Sequence, residues 1–332
     1  MSDKPTAIGV DIGGSSTKIG LVAEDGEILF RTIQPTPSDL PGENHMRAIL
    51  GKLSELVHWA GKNGFRPQGI GVSVCGYLDE SGDRPDYINL HSLDHYPVSS
   101  RLREAFSLPV VLDNDMNCGV LGEYVFGAGK GVDRLMVMTV GTGIGMSVVL
   151  NGEVFRRSAG TVGNPGHIIV QPDGPICPAG CRGCLESVAS SGPISRRAED
   201  LARSQRSTAL AAMLAAKDRL TPEDLYQAAE SGDIAAQETW LEVGAWLGRG
   251  LASWVEIFTP EVVIVGGGVA KAGHWLVDPI EAEMRRVGEP YFTRRVRKVK
   301  QSRLGQELAM LGAASFYLYP EYAPHWNMGR GA

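Results

Sequence analysis
The chain has 332 residues, which suggests two cores or one bilobal unit, because single hydrophobic cores rarely grow beyond about 250–300 residues. A formal net charge of −6 offers no general attraction to nucleic acid or to an anionic membrane, and no window approaches the roughly 18 uninterrupted apolar residues of a membrane span. The first residues lead directly into a strand pattern without the basic, apolar and cleavage segments of a secretion signal, so a cytoplasmic protein is expected.

Residues 6–34 read as three short strands, with turns at Gly13-Gly14-Ser15-Ser16 and Asp25-Gly26. Over 43–63, Met46, Ile49, Leu50, Leu53, Leu56, Val57 and Ala60 recur at the spacing of an amphipathic helix. Strands are predicted at 69–75 and 109–113, and a helix from about Asp115, with Asp115 placed as its cap. From residue 135 a second strand, Gly-rich turn, strand, Asn-Gly turn and strand repeats the order and turn chemistry of the first unit. Residues 156–186 are irregular, 187–256 read as helical, and 261–265 as a buried strand running into Gly266-Gly267-Gly268. The basic run 294–303 alternates like an exposed strand and is read as a solvated face.

Three Gly-rich turns are candidates for holding phosphate. The first is Asp11-Ile12-Gly13-Gly14-Ser15-Ser16-Thr17-Lys18, the second Gly141-Thr142-Gly143-Ile144-Gly145, and the third contains Gly267 and Gly268. Glycines let backbone N–H groups approach phosphate oxygens, hydroxyls add donors, and an acidic residue at a strand end can hold Mg²⁺ through water. One such turn alone is more often a plain hairpin; two in related units, with a third after another strand, point to a nucleotide triphosphate. The second turn is followed by a strand pattern, so it is not a dinucleotide fingerprint.

Asp115 lies in Leu112-Asp113-Asn114-Asp115-Met116-Asn117 at the end of an apolar strand, where a carboxylate can accept the proton of an attacking hydroxyl or else cap the helix. Asn114 can bind a hydroxyl-rich substrate or serve the turn. His167 with Cys177, Cys181 and Cys184 makes a complete tetrahedral zinc set with no open position, as in structural sites. Glu186, two residues beyond the last thiol, is either held rigidly by that loop or a solvated residue at a helix start. Cys75 and Cys118 are read as buried structural thiols.

In these motifs the chain resembles the ROK family of sugar kinases, repressors and related proteins, within the actin/hexokinase-like (ribonuclease H-like) fold. The resemblance spans nearly the whole chain and is carried by Asp11–Thr17, Asn114-Asp115 with Asn117 and Leu121-Gly122-Glu123, Gly141–Gly145, Gly266–Gly268, and the Gly166-His167, cysteine-loop and Glu186 arrangement. It implies an α/β molecule of two lobes with a nucleotide and sugar cleft between them. The division expected is 1–118 and 119–310, with a C-terminal helix at about 311–325 returning to the first lobe. It implies ATP-dependent phosphorylation of a sugar hydroxyl, usually C6 of a hexose such as glucose, with Asp115 as general base. Gly76, Asn89, Asn114, Asn164, His167 and Glu186 would contact the sugar, and His167 would span zinc and sugar through its two nitrogens. Asp11, Gly13, Gly14, Ser15, Ser16, Thr17, Lys18, Gly141, Thr142, Gly143, Gly267 and Gly268 would serve Mg²⁺–ATP. A homodimer or homotetramer is expected, without nucleic-acid or membrane partners.

Two departures from the family pattern bear on function. Ala179 stands at the usual second cysteine, with Cys181 as a replacement thiol; the alternative is a three-ligand site completed by water. Asn164 stands where the kinases often have Glu. Asn is shorter and uncharged and can donate as well as accept, so another sugar or a cyclitol (N-acylmannosamine, fructose, allose or an inositol-like polyol) is an alternative acceptor. A non-catalytic, sugar-responsive regulator is the alternative of another class; repressors carry an N-terminal helix-turn-helix, for which the early first strand is expected to leave no room.

Overall fold
The computed structural model describes residues 4–37, 40–79, 81–86, 90–156 and 163–324. The chain opens with β1 (Thr6–Ile12), β2 (Ser16–Ala23), β3 (Ile28–Pro35), α1 (Gly42–Lys62) and β4 (Pro67–Val74). It continues with β5 (Tyr77–Leu78), β6 (Pro85–Asp86), α2 (Val98–Phe106), β7 (Val110–Asn114) and α3 (Asp115–Val125). Next come β8 (Arg134–Val140), β9 (Ile144–Leu150), β10 (Glu153–Val154), α4 (Leu185–Ala189), α5 (Ser191–Arg203) and α6 (Thr208–Ala215). The last elements are α7 (Pro222–Glu230), α8 (Ile234–Phe258), β11 (Val262–Gly266), α9 (His274–Val287), α10 (Pro290–Thr293), β12 (Lys298–Gln301) and α11 (Leu308–Leu318). None of the described helices is long and apolar enough to cross a membrane.

The chain forms two compact units: Met1–Gly131 with Val149–Gly163 and Gln306–Ala332, and Val132–Val148 with Asn164–Gly305. The expected division at 118/119 would cut α3. The helix instead stays whole in the first unit, because its backbone at Cys118 and Gly122 lies directly against Gly312 and Leu308 of α11.

The first unit holds a sheet in the order β3-β2-β1-β4-β7, with β1, β2 and β3 antiparallel and β4 parallel to both β1 and β7. β1 is buried along its whole length, as its mostly apolar and β-branched run, broken by Asp11, requires of a strand covered on both faces. In α1, Met46, Ile49, Leu53, Leu56 and Ala60 are fully buried in the core with Ile8, Val10, Ile19 and Leu21. Each of its large side chains contributes about 1.5–3 kcal/mol by leaving water. α11 lies on β1, β4 and α3. A Cβ on Gly71 would strike the carbonyl of Ala313, and one on Gly312 the carbonyl of Cys118. Cys118 is fully buried as expected; Cys75, just past the end of β4, is only half-buried.

The second sheet runs β10-β9-β8-β11-β12, with β11 parallel to β8 and β12. Leu135, Met136, Val137, Met138, Val263, Ile264 and Val265 are fully buried. Asp233 caps α8 by accepting from Ala236 N at 2.9 Å. Trp240, Val243, Leu247 and Leu251 turn the apolar stripe of α8 inward, while Gly244 and Gly248 let α9 approach at Pro279 and Ile280. The basic run is a strand only over Lys298–Gln301. Before it, Arg295 stacks on Tyr291, and Arg297 bonds Glu261 through both backbone and side chain, which ends the extended pattern.

Candidate active site
Within the first unit, the β1–β2 turn is closed by Gly13 N donating to Ser16 O at 3.1 Å. It is braced from the segment after β3. Thr36 Oγ1 donates to Gly13 O at 2.7 Å and lies 3.1 Å from Thr17 Oγ1, and Thr36 N donates to Ser15 O. Thr17 is therefore buried against Thr36, whereas Gly14 and Ser15 are exposed at the tip. Asp11 is buried at the end of β1 with both oxygens engaged: Lys18 Nζ donates to Oδ2 at 2.8 Å and Ser73 Oγ to Oδ1 at 3.0 Å. Either oxygen retains lone pairs for a metal-bound water.

The β7–α3 junction carries the candidate base. Asn114, not Asp115, is the N-cap; its Oδ1 accepts from Met116 N at 2.9 Å, because its extended backbone aims the side chain back over the first turn. Asp115 is thus the first helical residue. Its Oδ1 also accepts from Met116 N at 2.9 Å, and the carboxyl is half-buried. Burial, then the charge of Asp11, raise its pKa from 3.8 to about 7. That places a proton acceptor near neutrality, where a general base is most useful. Asn114 Nδ2 donates to Gly76 O at 2.7 Å, and Gly76 itself has φ of 112°. Asp113, fully buried, accepts from Asn114 N at 2.7 Å and from Asn117 Nδ2 at 2.9 Å.

The second unit holds the other candidates. Gly141 N donates to Gly143 O across the β8–β9 turn, and Thr142 is exposed at its tip. Glu186, in the first turn of α4, accepts from Ile144 N through Oε2 at 3.0 Å, so it is bound to that turn and is not a solvated residue. Its Oε1 lies 3.9 Å from His167 Nε2 and 3.7 Å from Cys177 Sγ. At the end of β11, Gly267 has φ of 86°, and a Cβ there would strike Val140 O; Gly268 is open. Asn164 is exposed, and its side chain does not cap the short turn Pro165–His167 that it starts.

His167, Cys177, Cys181 and Cys184 present ligand atoms that all lie within 4.8 Å of one another. His167 Nδ1 is 3.3 Å from Cys181 Sγ and 3.8 Å from Cys177 Sγ. Zn–S bonds of about 2.3 Å and Zn–N bonds of about 2.0–2.1 Å set neighbouring tetrahedral donors about 3.5–3.8 Å apart, so this set fits zinc. Ala179 is exposed and outside the cluster. Burial pushes the Cys177 and Cys181 thiols up. Cys184 is held down, despite its burial, by hydrogen bonding with Cys181 and His167. Three thiols this close need a cation before all can ionise.

The structure thus gathers Asp11, Lys18, Gly76, Asn114 and Asp115 in the first unit, and Gly143, His167, Glu186 and the three cysteines in the second. Asn89 lies outside the described residues. Sequence reasoning missed Thr36, Ser73 and Arg156, whose signal lies in contacts distant along the chain; Asp113 could have been singled out from its place beside Asn114.

The sequence profile described as "ROK family" matches residues 7–319. A glucokinase of Thermotoga maritima is 33% identical over 93% of this chain and 96% of its own. The crystal structure of a ROK family glucokinase from Streptomyces griseus, in complex with glucose and AMPPNP, is 31% identical. It superposes with a TM-score of 0.80 over 94% of this chain and 98% of that one. A xylose repressor of Caldicellulosiruptor bescii is 28% identical over 97% of this chain and 81% of its own.

Proposed function
Since the chain belongs to the ROK family, we propose that it is an ATP-dependent sugar kinase, which moves the γ-phosphoryl group of ATP onto a hexose hydroxyl, C6 of glucose being the first candidate. Asp115 carries this reading: a half-buried carboxyl at the head of α3 whose proton affinity has been raised to about 7. As the sugar oxygen attacks phosphorus, its proton passes to the Asp115 carboxylate while the bond to the ADP oxygen breaks. Asn114, His167 and Glu186 hydrogen-bond ring hydroxyls and fix the attacking oxygen in line, which supplies much of the acceleration. His167 turns Nδ1 to the thiols and leaves Nε2 for the sugar. The Gly-rich turns offer backbone N–H groups to the phosphates, and Lys18 adds positive charge beside Asp11.

Mg²⁺, when bound with ATP, would neutralise phosphoryl charge, and Asp11 is the carboxylate that would help to hold it through water. Zinc, held by His167, Cys177, Cys181 and Cys184, would fix the loop that aims His167 and Glu186, and has no open position for water. Placement in the cytosol and a homodimeric or homotetrameric assembly complete the reading. Asn164 keeps other hexoses and cyclitols in the substrate set, because it offers a neutral donor and acceptor. A sugar-responsive regulator is the second reading, favoured by the repressor relative; the raised proton affinity of Asp115 favours the kinase.

ADP release from zinc-loaded protein over a panel of hexoses, N-acylhexosamines and cyclitols tests the function. Turnover with at least one hexose is expected; no turnover with any acceptor would overturn it.

A further inference from the structure
A polar row crosses the first sheet. Lys18 on β2 stands opposite Asp11 on β1, Asp11 opposite Ser73 on β4, and Ser73 opposite Asp113 on β7. Paired residues point to the same face, so the row sets two carboxylates between a cation at one end and whatever meets Asp113 at the other. That partner is Arg156, two residues past β10. Its Nε donates to Asp113 Oδ2 at 2.8 Å, and its Nη2 to Tyr322 O at 3.3 Å. The pair is buried, with side-chain exposure of 12% for Arg156 and 0% for Asp113. Asp113 Oδ1 meanwhile holds Asn114 N and Asn117 Nδ2, on either side of Asp115.

A buried ion pair is a weak device for stability, since apolar residues of similar size often do as well. Its geometry here suits another task. One carboxylate is gripped on one side by a guanidinium and on the other by the backbone just before the candidate base. Without the guanidinium, Asp113 loses its buried counter-charge and one of the contacts that fix its orientation, which loosens its hold on Asn114 and Asn117.

We propose that Arg156 is a positioning residue of the phosphoryl-transfer site, acting through Asp113 to fix the Asn114–Asn117 turn and so aim the Asp115 carboxylate at the sugar hydroxyl. The inference rests on the reading of Asp115 as the base. It assigns Arg156 no contact with sugar or nucleotide.

The test is steady-state kinetics of Arg156→Met, Arg156→Lys, Asp113→Asn and the double variant Arg156→Met/Asp113→Asn, each corrected for folded fraction by thermal melting. Arg156→Met should lower kcat about 10–100-fold, the scale of a misplacement near 1 Å, with KM for Mg²⁺–ATP within about twofold. Arg156→Lys should recover about tenfold of that loss by restoring the charge. The double variant should be no slower than Arg156→Met, because the pair acts as a unit. Wild-type kcat in Arg156→Met, or losses explained wholly by folded fraction, would overturn the inference. If Arg156→Met does not fold, Arg156→Lys and Asp113→Asn decide it: both at wild-type kcat would refute it. Asp115→Ala run alongside separates the two claims. Turnover in that variant within tenfold of the parent refutes the base assignment, whereas a strongly slowed Asp115→Ala with a wild-type Arg156→Met refutes only the positioning role.

Discussion

The candidate residues of the first unit and those of the second reach order by different means. In the first unit the polar groups answer one another: Asp11 has Lys18 and Ser73, Asp113 has Arg156, and Asn114 is bound at both ends of its amide. Asp115 is the exception, a carboxyl whose proton affinity is raised by burial and then by the charge of another carboxylate, Asp11. In the second unit, His167 and three thiols converge on each other with no protein cation among them. The first group is preorganised by the fold, and the second has the donors to take a metal. The difference teaches where each group is vulnerable: the first to changes of charge, the second, on the proposed reading, to removal of its metal.

The largest expected contrast between the two groups comes from zinc removal. Chelation, or Cys184→Ala, should lower sugar affinity by more than about 100-fold in calorimetry, because His167 and Glu186 lose their common support. Unchanged sugar affinity in zinc-free protein would break the comparison. Cys181→Ala should likewise cut bound zinc, measured by elemental analysis; retained zinc affinity would remove Cys181 from the ligand set.

A charge-based prediction sharpens the other side. With its pKa at about 7, Asp115 is protonated and idle below neutrality, so kcat/KM for the sugar should rise with pH through about 7 and level off above it. Asp11→Asn removes the neighbouring negative charge and should move that limb to lower pH; a limb unmoved in this variant would contradict the coupling.

The same group sets a stability trend of known sign. A carboxyl whose folded pKa lies above its unfolded value binds its proton more tightly in the fold, so stability falls as pH rises from about 4 to about 7. Asp115→Asn should therefore stabilise the protein at pH 8, by on the order of 1–3 kcal/mol, with little effect near pH 3. Equal denaturant stability of both proteins at pH 8 would contradict it. The smallest effect belongs to Ala179→Ser: exposed and outside the cluster, it should change neither bound zinc nor stability by more than about 0.5 kcal/mol.

Periodicity and turn chemistry made much of the fold legible. Met46 to Ala60 marked α1, and the repeated strand and Gly-turn order marked both hairpin units. The boundary between units was not legible, because it depends on how closely α3 and α11 approach at Gly122 and Gly312, a contact made far along the chain. At the site, the cysteine spacing drew attention to the metal cluster, since four soft donors in one segment have few other uses. The cap was misassigned: Asn and Asp are nearly equal as N-caps, and only the backbone direction leaving β7 decides for Asn114. Glu186 stood between two readings until its bond to Ile144 N was seen, and Thr36 and Arg156 act through partners that no local pattern reveals.

The central claim is that Asp115 accepts the proton of a sugar hydroxyl during transfer from ATP. The most direct measurement compares ADP release by the zinc-loaded protein and by Asp115→Ala, with glucose and zinc binding measured on both. The account predicts a fall in kcat on the order of 10²–10⁴, with sugar and zinc still bound. Turnover in Asp115→Ala within tenfold of the parent would contradict it.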